Sequence, residues 1–240
     1  MPEQQGPVYF SGKLGNRVGY KRDGKYFFRN LPQQVNISTG TKLVNADFGT
    51  VAKAEKLIRN AIKPFLDIPC DNQYHIRLNA VLLKMLHAGN QKRGSRSFKH
   101  LDLSGLVGFQ FNLQSKINNI VTFEGMELDR YGNLRMPFAQ LKSIRDRIKV
   151  SHIEIEFIAQ AIHIIDNKYS TPFTSKALID LNAMPSSETV AKIGFYSSGF
   201  GERIIIMQVR ALVKRNKGLQ PSKSVKHLAA GIIHTSPCTR

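Results

Sequence analysis

The sequence predicts an α+β protein, with an N-terminal basic β-hairpin and a helical pair followed by an antiparallel immunoglobulin-like β-sandwich. Three observations predict it. Asp23-Gly24 stands between two short runs rich in Tyr, Phe and Val. From Phe48 to Leu86 the apolar residues recur at helical spacing, and from Leu101 onward the period shortens to two. The domain boundary is accordingly expected near residue 100, giving 1–100 and 101–240.

The hairpin occupies Gly6 to Pro32, where glycines alternate with basic and aromatic residues. Asp-Gly favours a type I′ turn, because both central residues need positive φ. Its basic residues Lys13, Arg17, Lys21, Arg22, Lys25 and Arg29 are candidate polyanion-binding or docking residues. Tyr20, Tyr26 and Phe28 are candidate aromatics for stacking on a base or inserting into a neighbouring subunit. Gly12, Gly15 and Gly19 do not make a phosphate loop, since strand-like residues follow where a helix is needed and no Walker pattern is present.

Leu31-Pro32 closes the strand pattern, and Gln33 to Thr41 reads as a polar loop. A first helix is expected over Phe48 to Phe65, capped by Asn45 or Asp47, with Val51, Ala54, Leu57, Ile58, Ala61 and Ile62 on one face. Asp71 or Asn72 caps a second helix, along which Tyr74, Leu78, Leu82 and Leu86 form a stripe; Gly89 stops it. The short link between them predicts a helical hairpin. A polar loop follows from Asn90 to Lys99, where Lys92, Arg93, Arg96 and Lys99 are further candidates for polyanion contact, or simply solvated charges.

Beyond Leu101 the expected strands are Leu101 to Leu103, Val107 to Leu113, and a hairpin from Val121 to Phe138 turning at Arg130 to Asn133. Ile153 to Ile164, Ala177 to Leu181, Val190 to Tyr196, Arg203 to Val213 and Val225 to His234 follow. Short strands spaced by turn signals, with no helix between them, predict the sandwich.

Composition bounds the partner. Lys and Arg number 35 against 17 Asp and Glu, a net charge of +18. Successive sixty-residue quarters carry +6, +5, 0 and +7, so the charge is concentrated away from residues 121–180. Such a balance points to an anionic partner, with nucleic acid foremost. No sequence-reading motif accompanies it, so binding without sequence specificity is expected. A subunit of a phage-like or other multi-subunit particle, docking through the hairpin against like copies or neighbours, is the alternative.

Catalytic signals are few. None of the seven histidines lies in HExxH, and His75 and His163 read as packing or edge residues. Glu154 and Glu156 share a strand face and read as its solvated side. No GxSxG elbow is present. The expectation is a protein with no enzymatic activity and no cofactor or metal. Cys70 and Cys238 are expected as free thiols of a reducing compartment. The opening residues lack the charged and apolar regions of a secretory signal, and no run is long enough to span a bilayer. A cytoplasmic location, or one inside an assembled particle, is therefore expected.

One resemblance adds to this reading. The run Phe10-Ser11-Gly12-Lys13-Leu14-Gly15-Asn16-Arg17-Val18-Gly19, with Gly24-Lys25 and Arg29 to Pro32 after it, resembles the opening of a family classed as a domain of unknown function. Its members are basic proteins of Bacteroidota-type bacteria and their mobile elements. The resemblance covers about the first thirty residues. It implies a basic strand segment, then helices, then a β-rich half, and it supplies no catalytic residue.

Overall fold

The computed structural model of the chain describes residues 3–6, 9–32, 37–99, 102–123, 125, 127–129, 134–135, 138–141, 150–181, 201–216 and 218–238. Two compact units emerge, Met1–Lys42 and Leu43–Arg240.

In the first unit, Asp23 and Gly24 both take positive φ, 49° and 82°, as the sequence predicts for the turn. Where one hairpin is expected, the structure has a three-stranded antiparallel meander of β1 (Gly12–Leu14), β2 (Arg17–Arg22) and β3 (Lys25–Asn30). The extra strand arises at Gly15, whose φ of 56° lets Leu14 and Arg17 pair across a two-residue loop. The far edge of β3 is met by the N-terminal segment, through a Glu3–Phe27 bridge and a bond from Gln4 N–H to the Tyr26 carbonyl (2.8 Å).

Helix α1 spans Thr39–Ile62 and continues as a 3₁₀ turn, Lys63–Phe65. It starts well ahead of Phe48, because the Ser38 hydroxyl accepts from the Thr41 N–H (3.1 Å) and caps it there. Asn45 and Asp47, expected as caps, lie inside the helix. Helix α2 (Tyr74–Ala88) follows a turn in which the Asp71 carboxylate accepts from the Gln73 N–H (3.0 Å), and Gly89 ends it.

The helices bury their predicted stripes together, but their partner is the sheet. Ile58 and Ile62 of α1 and Leu78 and Leu82 of α2 share one core with Ile158, Ile162, Ile204 and Ile206. The helical pair therefore belongs with the β-rich part, and the units part near residue 42 and not near 100.

The strands of the second unit are β4 (Val121–Phe123), β5 (Glu127–Leu128), β6 (Leu134–Arg135), β7 (Phe138–Leu141), β8 (His152–His163), β9 (Lys168–Tyr169), β10 (Phe173–Asp180), β11 (Glu202–Arg215), β12 (Gly218–Pro221) and β13 (Leu228–Pro237). The main antiparallel sheet is centred on β8 and β11. Strands β9 and β10 line the outer edge of β8, while β13 and then β12 line the other edge of β11. The hairpin expected between Val121 and Phe138 is present as β4 with β7 and β5 with β6, and its turn at Arg130 to Asn133 lies outside the described residues. So does the strand expected at Val190 to Tyr196.

The alternation of a strand sorts the two faces. Even-numbered residues of β8 and β11, such as Ile158 and Ile206, face the helices. Odd-numbered ones, such as Phe157 and Met207, pack with Ile117 and Ile120 of the short helix α3 (Ile117–Ile120), Val121 and Leu134. The helical pair thus covers one face, while α3 and strands of the two short two-stranded sheets meet the other, so the described residues make an α+β arrangement and not a pairing of two large sheets.

Two expected strands are irregular instead. Leu103–Leu106 is a 3₁₀ turn capped by Asp102, whose carboxylate accepts from the Ser104 N–H (2.8 Å). Gly108 to Phe111 runs along the free edge of β13 and exchanges backbone bonds with Ala230 and Ile232. The approach is close: a Cβ on Gly231 would sit 2.8 Å from the Phe109 carbonyl oxygen. Phe109 and Phe111 both point into the helix–sheet core, so the apolar alternation of this segment reflects burial, not a strand.

Candidate nucleic-acid interface

The cross-strand register sorts the N-terminal sheet into two unlike faces, because residues directly opposite one another project to the same side. One face carries Lys13, Val18 and Arg29 in a row across three strands, then Tyr20 opposite Phe27, then Arg22 opposite Lys25. The other carries Leu14, Arg17, Gly19, Lys21, Tyr26 and Phe28. All six predicted cations, Lys13, Arg17, Lys21, Arg22, Lys25 and Arg29, are exposed.

The predicted aromatics Tyr20, Tyr26 and Phe28 are half-buried and already engaged. Tyr20 stacks on Phe27, with centroids 6.0 Å apart. On the opposite face Tyr9 stacks on Tyr26 at 4.9 Å, Lys21 lies over the Tyr26 ring at 5.3 Å, and Arg17 lies over Phe28 at 5.2 Å. Gly19 is required there: a Cβ would stand 2.3 Å from the Phe10 carbonyl oxygen and against its ring. Gln4 fixes this crossing, accepting from the Phe10 N–H (3.0 Å) and donating to the Phe10 (3.1 Å) and Phe27 (2.8 Å) carbonyls. The aromatics therefore form the platform on which the cations stand. Two cations also meet carboxylates, Arg22 with Asp23 (3.4 Å) and Lys25 with Glu3 (3.6 Å). These exposed pairs hold little energy and yield readily to a polyanion.

The loop from Asn90 to Lys99 splits the predicted group. Lys92, Arg93 and Lys99 are exposed. Arg96 is not a contact charge. It pairs with Asp47 of α1 at 2.8 Å, while the Gly94 N–H donates to the same carboxylate at 2.9 Å. Asp47 is only 2% exposed, so Arg96 neutralises a buried acid and pins the loop to the helix. Phe98 anchors the loop further by entering the core.

Sequence reasoning missed a second surface, within the larger unit. An open groove of about 520 Å³ runs between α1 and the β8–β9 turn, with Lys53 and Lys56 on one side and Tyr169 on the other. The three- and four-residue spacing of the basic helix residues is its only sequence signal.

Glu154 and Glu156, read from sequence as a solvated pair, are half-buried and buried respectively. Arg210 bridges them at 2.7 and 2.9 Å and also reaches Asp67 at 3.1 Å. Lys176 adds a contact to Glu156 at 3.5 Å. Gln208, fully buried, donates to the Phe65 carbonyl (2.9 Å) and Glu156 (3.2 Å) and accepts from the Asp67 N–H (3.0 Å). This network ties the link after α1 to the sheet. Each acid already faces a cation, so the pair is a structural joint and not an acid–base couple.

A second polar cluster sits where β11 begins and β13 ends. Burial, followed by the nearby Asp102, pushes the Glu202 carboxyl up. Burial, followed by the Arg203 charge, pushes His234 down. Glu202 lines a cavity of about 320 Å³ together with Lys99, His163 and apolar residues. Elsewhere, Cys70 is raised by burial and then by Asp71, which makes it a poor thiolate; neither it nor Cys238 is in a disulfide. Among the described residues, no group of three His, Cys, Asp or Glu side chains is placed to hold a metal ion, and no helix is long and apolar enough to cross a membrane.

Comparison with family models, with curated proteins and with solved structures found no match to this chain.

Proposed function

We propose that the N-terminal sheet binds the phosphate backbone of nucleic acid without reading its sequence, and that the chain is a non-enzymatic binding or assembly protein. One observation carries the reading: a single sheet face has exposed cations at both ends, Lys13 and Arg29 at one and Arg22 and Lys25 at the other, flanking Tyr20 and Phe27. At a strand rise of about 3.4 Å per residue, the two end rows lie about 14 Å apart. That span suits several phosphates of one strand. Phosphate contact is favoured over base stacking because the rings stack on one another or carry a cation. Backbone contacts position a nucleic acid but carry no sequence information.

Fluorescence anisotropy of labelled single-stranded oligonucleotides against the full chain tests it. Binding at low salt is expected, with affinities for homopolymeric and mixed sequences agreeing within about threefold. No detectable binding at low salt sinks the reading.

The second reading, a particle subunit with this sheet as docking arm, is favoured by the opposite face. There Leu14 of the short edge strand β1 and Tyr9, stacked on Tyr26 of β3, are 63% and 51% exposed. Light scattering separates the two. Oligomers that form without nucleic acid and disappear in Leu14→Lys support docking, while a monomer at all concentrations removes it.

A further inference from the structure

The start of β11 and the end of β13 hold an unusual density of buried polar atoms without partners. Among the described residues these are Glu202 Oε2, His234 Nε2, Thr235 Oγ1 and Ser236 Oγ. Arg203, 8% exposed and with no ion-pair partner among the described residues, stands with His234 and Ser236. The register gathers these three groups. Arg203 stands opposite Ser236, and Ile205 opposite His234, so all three side chains share one face of the sheet. On the other flank of β11, Arg203 and Ile205 stand opposite Ala161 and Ala159. Glu202 neighbours Arg203 in sequence but projects to the opposite face and makes no ion pair with it.

The chemistry of the three groups is one-sided. A guanidinium only donates, in a fixed fork that matches an oxyanion, and a hydroxyl and an imidazole nitrogen can both donate. Arg203 has no carboxylate partner among the described residues, so its fork is open to an oxyanion. We propose that Arg203, His234 and Ser236 form a binding site for a phosphate group, one that stands independently of the N-terminal sheet. A phosphate there receives a bidentate charge-assisted contact from Arg203 and further hydrogen bonds from His234 and Ser236, giving each of the three a partner.

The histidine imidazole resonances of the full-length protein report on this directly, with the His234 signal identified by its loss in His234→Gln. Inorganic phosphate, a 5′-mononucleotide and a single-stranded oligonucleotide lacking terminal phosphates are titrated in turn, against chloride at matched ionic strength. The expected result is a saturable shift of the His234 resonance with phosphate or with the mononucleotide. The response should be about tenfold weaker in Ser236→Ala and absent in Arg203→Lys, whose single charge cannot make the bidentate contact. It should persist in Lys13→Gln/Arg29→Gln. Saturation by both phosphate and mononucleotide identifies a general phosphate site, and saturation by the mononucleotide alone a nucleotide site; either supports the proposal. It is overturned if His234 does not respond to either, responds only to the oligonucleotide, or responds with unchanged affinity in Ser236→Ala. Should Arg203→Lys fail to fold, the wild-type and Ser236→Ala titrations decide the matter alone.

Discussion

The two units use their arginines differently. In the N-terminal sheet six Lys and Arg side chains stand exposed on a platform of stacked aromatics. In the larger unit Lys53, Lys56, Lys92, Arg93 and Lys99 are exposed too, but three arginines turn inward: Arg210 onto Glu154, Glu156 and Asp67, Arg96 onto Asp47, and Arg77 onto Asp71. Net charge sums both uses and cannot tell them apart. An inward arginine neutralises an acid that would otherwise be costly to bury, so it contributes to stability and little to an outer field. The exposed cations contribute little to stability and are left for contact.

The contrast can be broken at its strongest point first. Arg210→Met leaves Glu154 and Glu156 without their shared cation, and Lys176 alone does not replace it. The expected loss is about 3 kcal/mol, read as a lower urea midpoint with an unchanged slope. A cost near that of a surface substitution would remove the network as a joint between helix link and sheet.

Asp47→Ala is expected to follow at about 2 kcal/mol, since Arg96 and the Gly94 N–H both lose their acceptor. The same variant sharpens the reading of the basic loop. Faster hydrogen exchange at Gly94 to Phe98, with nucleic-acid affinity unchanged, is the expected outcome. Higher affinity on releasing Arg96 would mean that the loop is a contact surface held in reserve.

At the small end, replacing Lys13, Arg22, Lys25 and Arg29 together by Gln should change stability by no more than about 0.5 kcal/mol per site, because none is buried. A large destabilisation would place these residues with the inward arginines instead.

Local chemistry was legible in the sequence where one residue or one period decides the outcome. Asp23-Gly24 specifies its turn through positive φ, and the stripes of α1 and α2 locate the buried faces. The long runs of β8 and β11 are likewise visible, although both faces are buried and polar residues such as Glu156, Gln160 and Gln208 are buried with them, which the alternation in β8 does not announce. Legibility failed where partners are distant. Asp47 resembles a cap, and only its pairing with a residue 49 positions later makes it a buried anchor. Glu154 and Glu156 resemble a solvated stripe until the segment after α1 covers them. Val107 to Leu113 alternates like a strand, but Gly108, with φ of 86°, breaks the regular backbone while both phenylalanines turn inward.

The same limit applies to the candidate sites. The N-terminal cations were nameable because glycine, aromatic and basic residues alternate within one local segment. The division of those cations between two faces required the register, which depends on both turns. The group of Arg203, His234 and Ser236 had no sequence signal, since it is assembled only when β11 and β13 pair.

The central claim is that exposed charge on one face of the N-terminal sheet is the contact surface. It is tested most directly by the salt dependence of oligonucleotide binding in the full chain and in the four-site Gln variant. With four phosphate contacts to a single strand, log K should fall against log[salt] with a slope of about −3 in the native sequence. In the variant that slope should approach zero while the urea midpoint stays in place. Equal slopes in the two chains would contradict it.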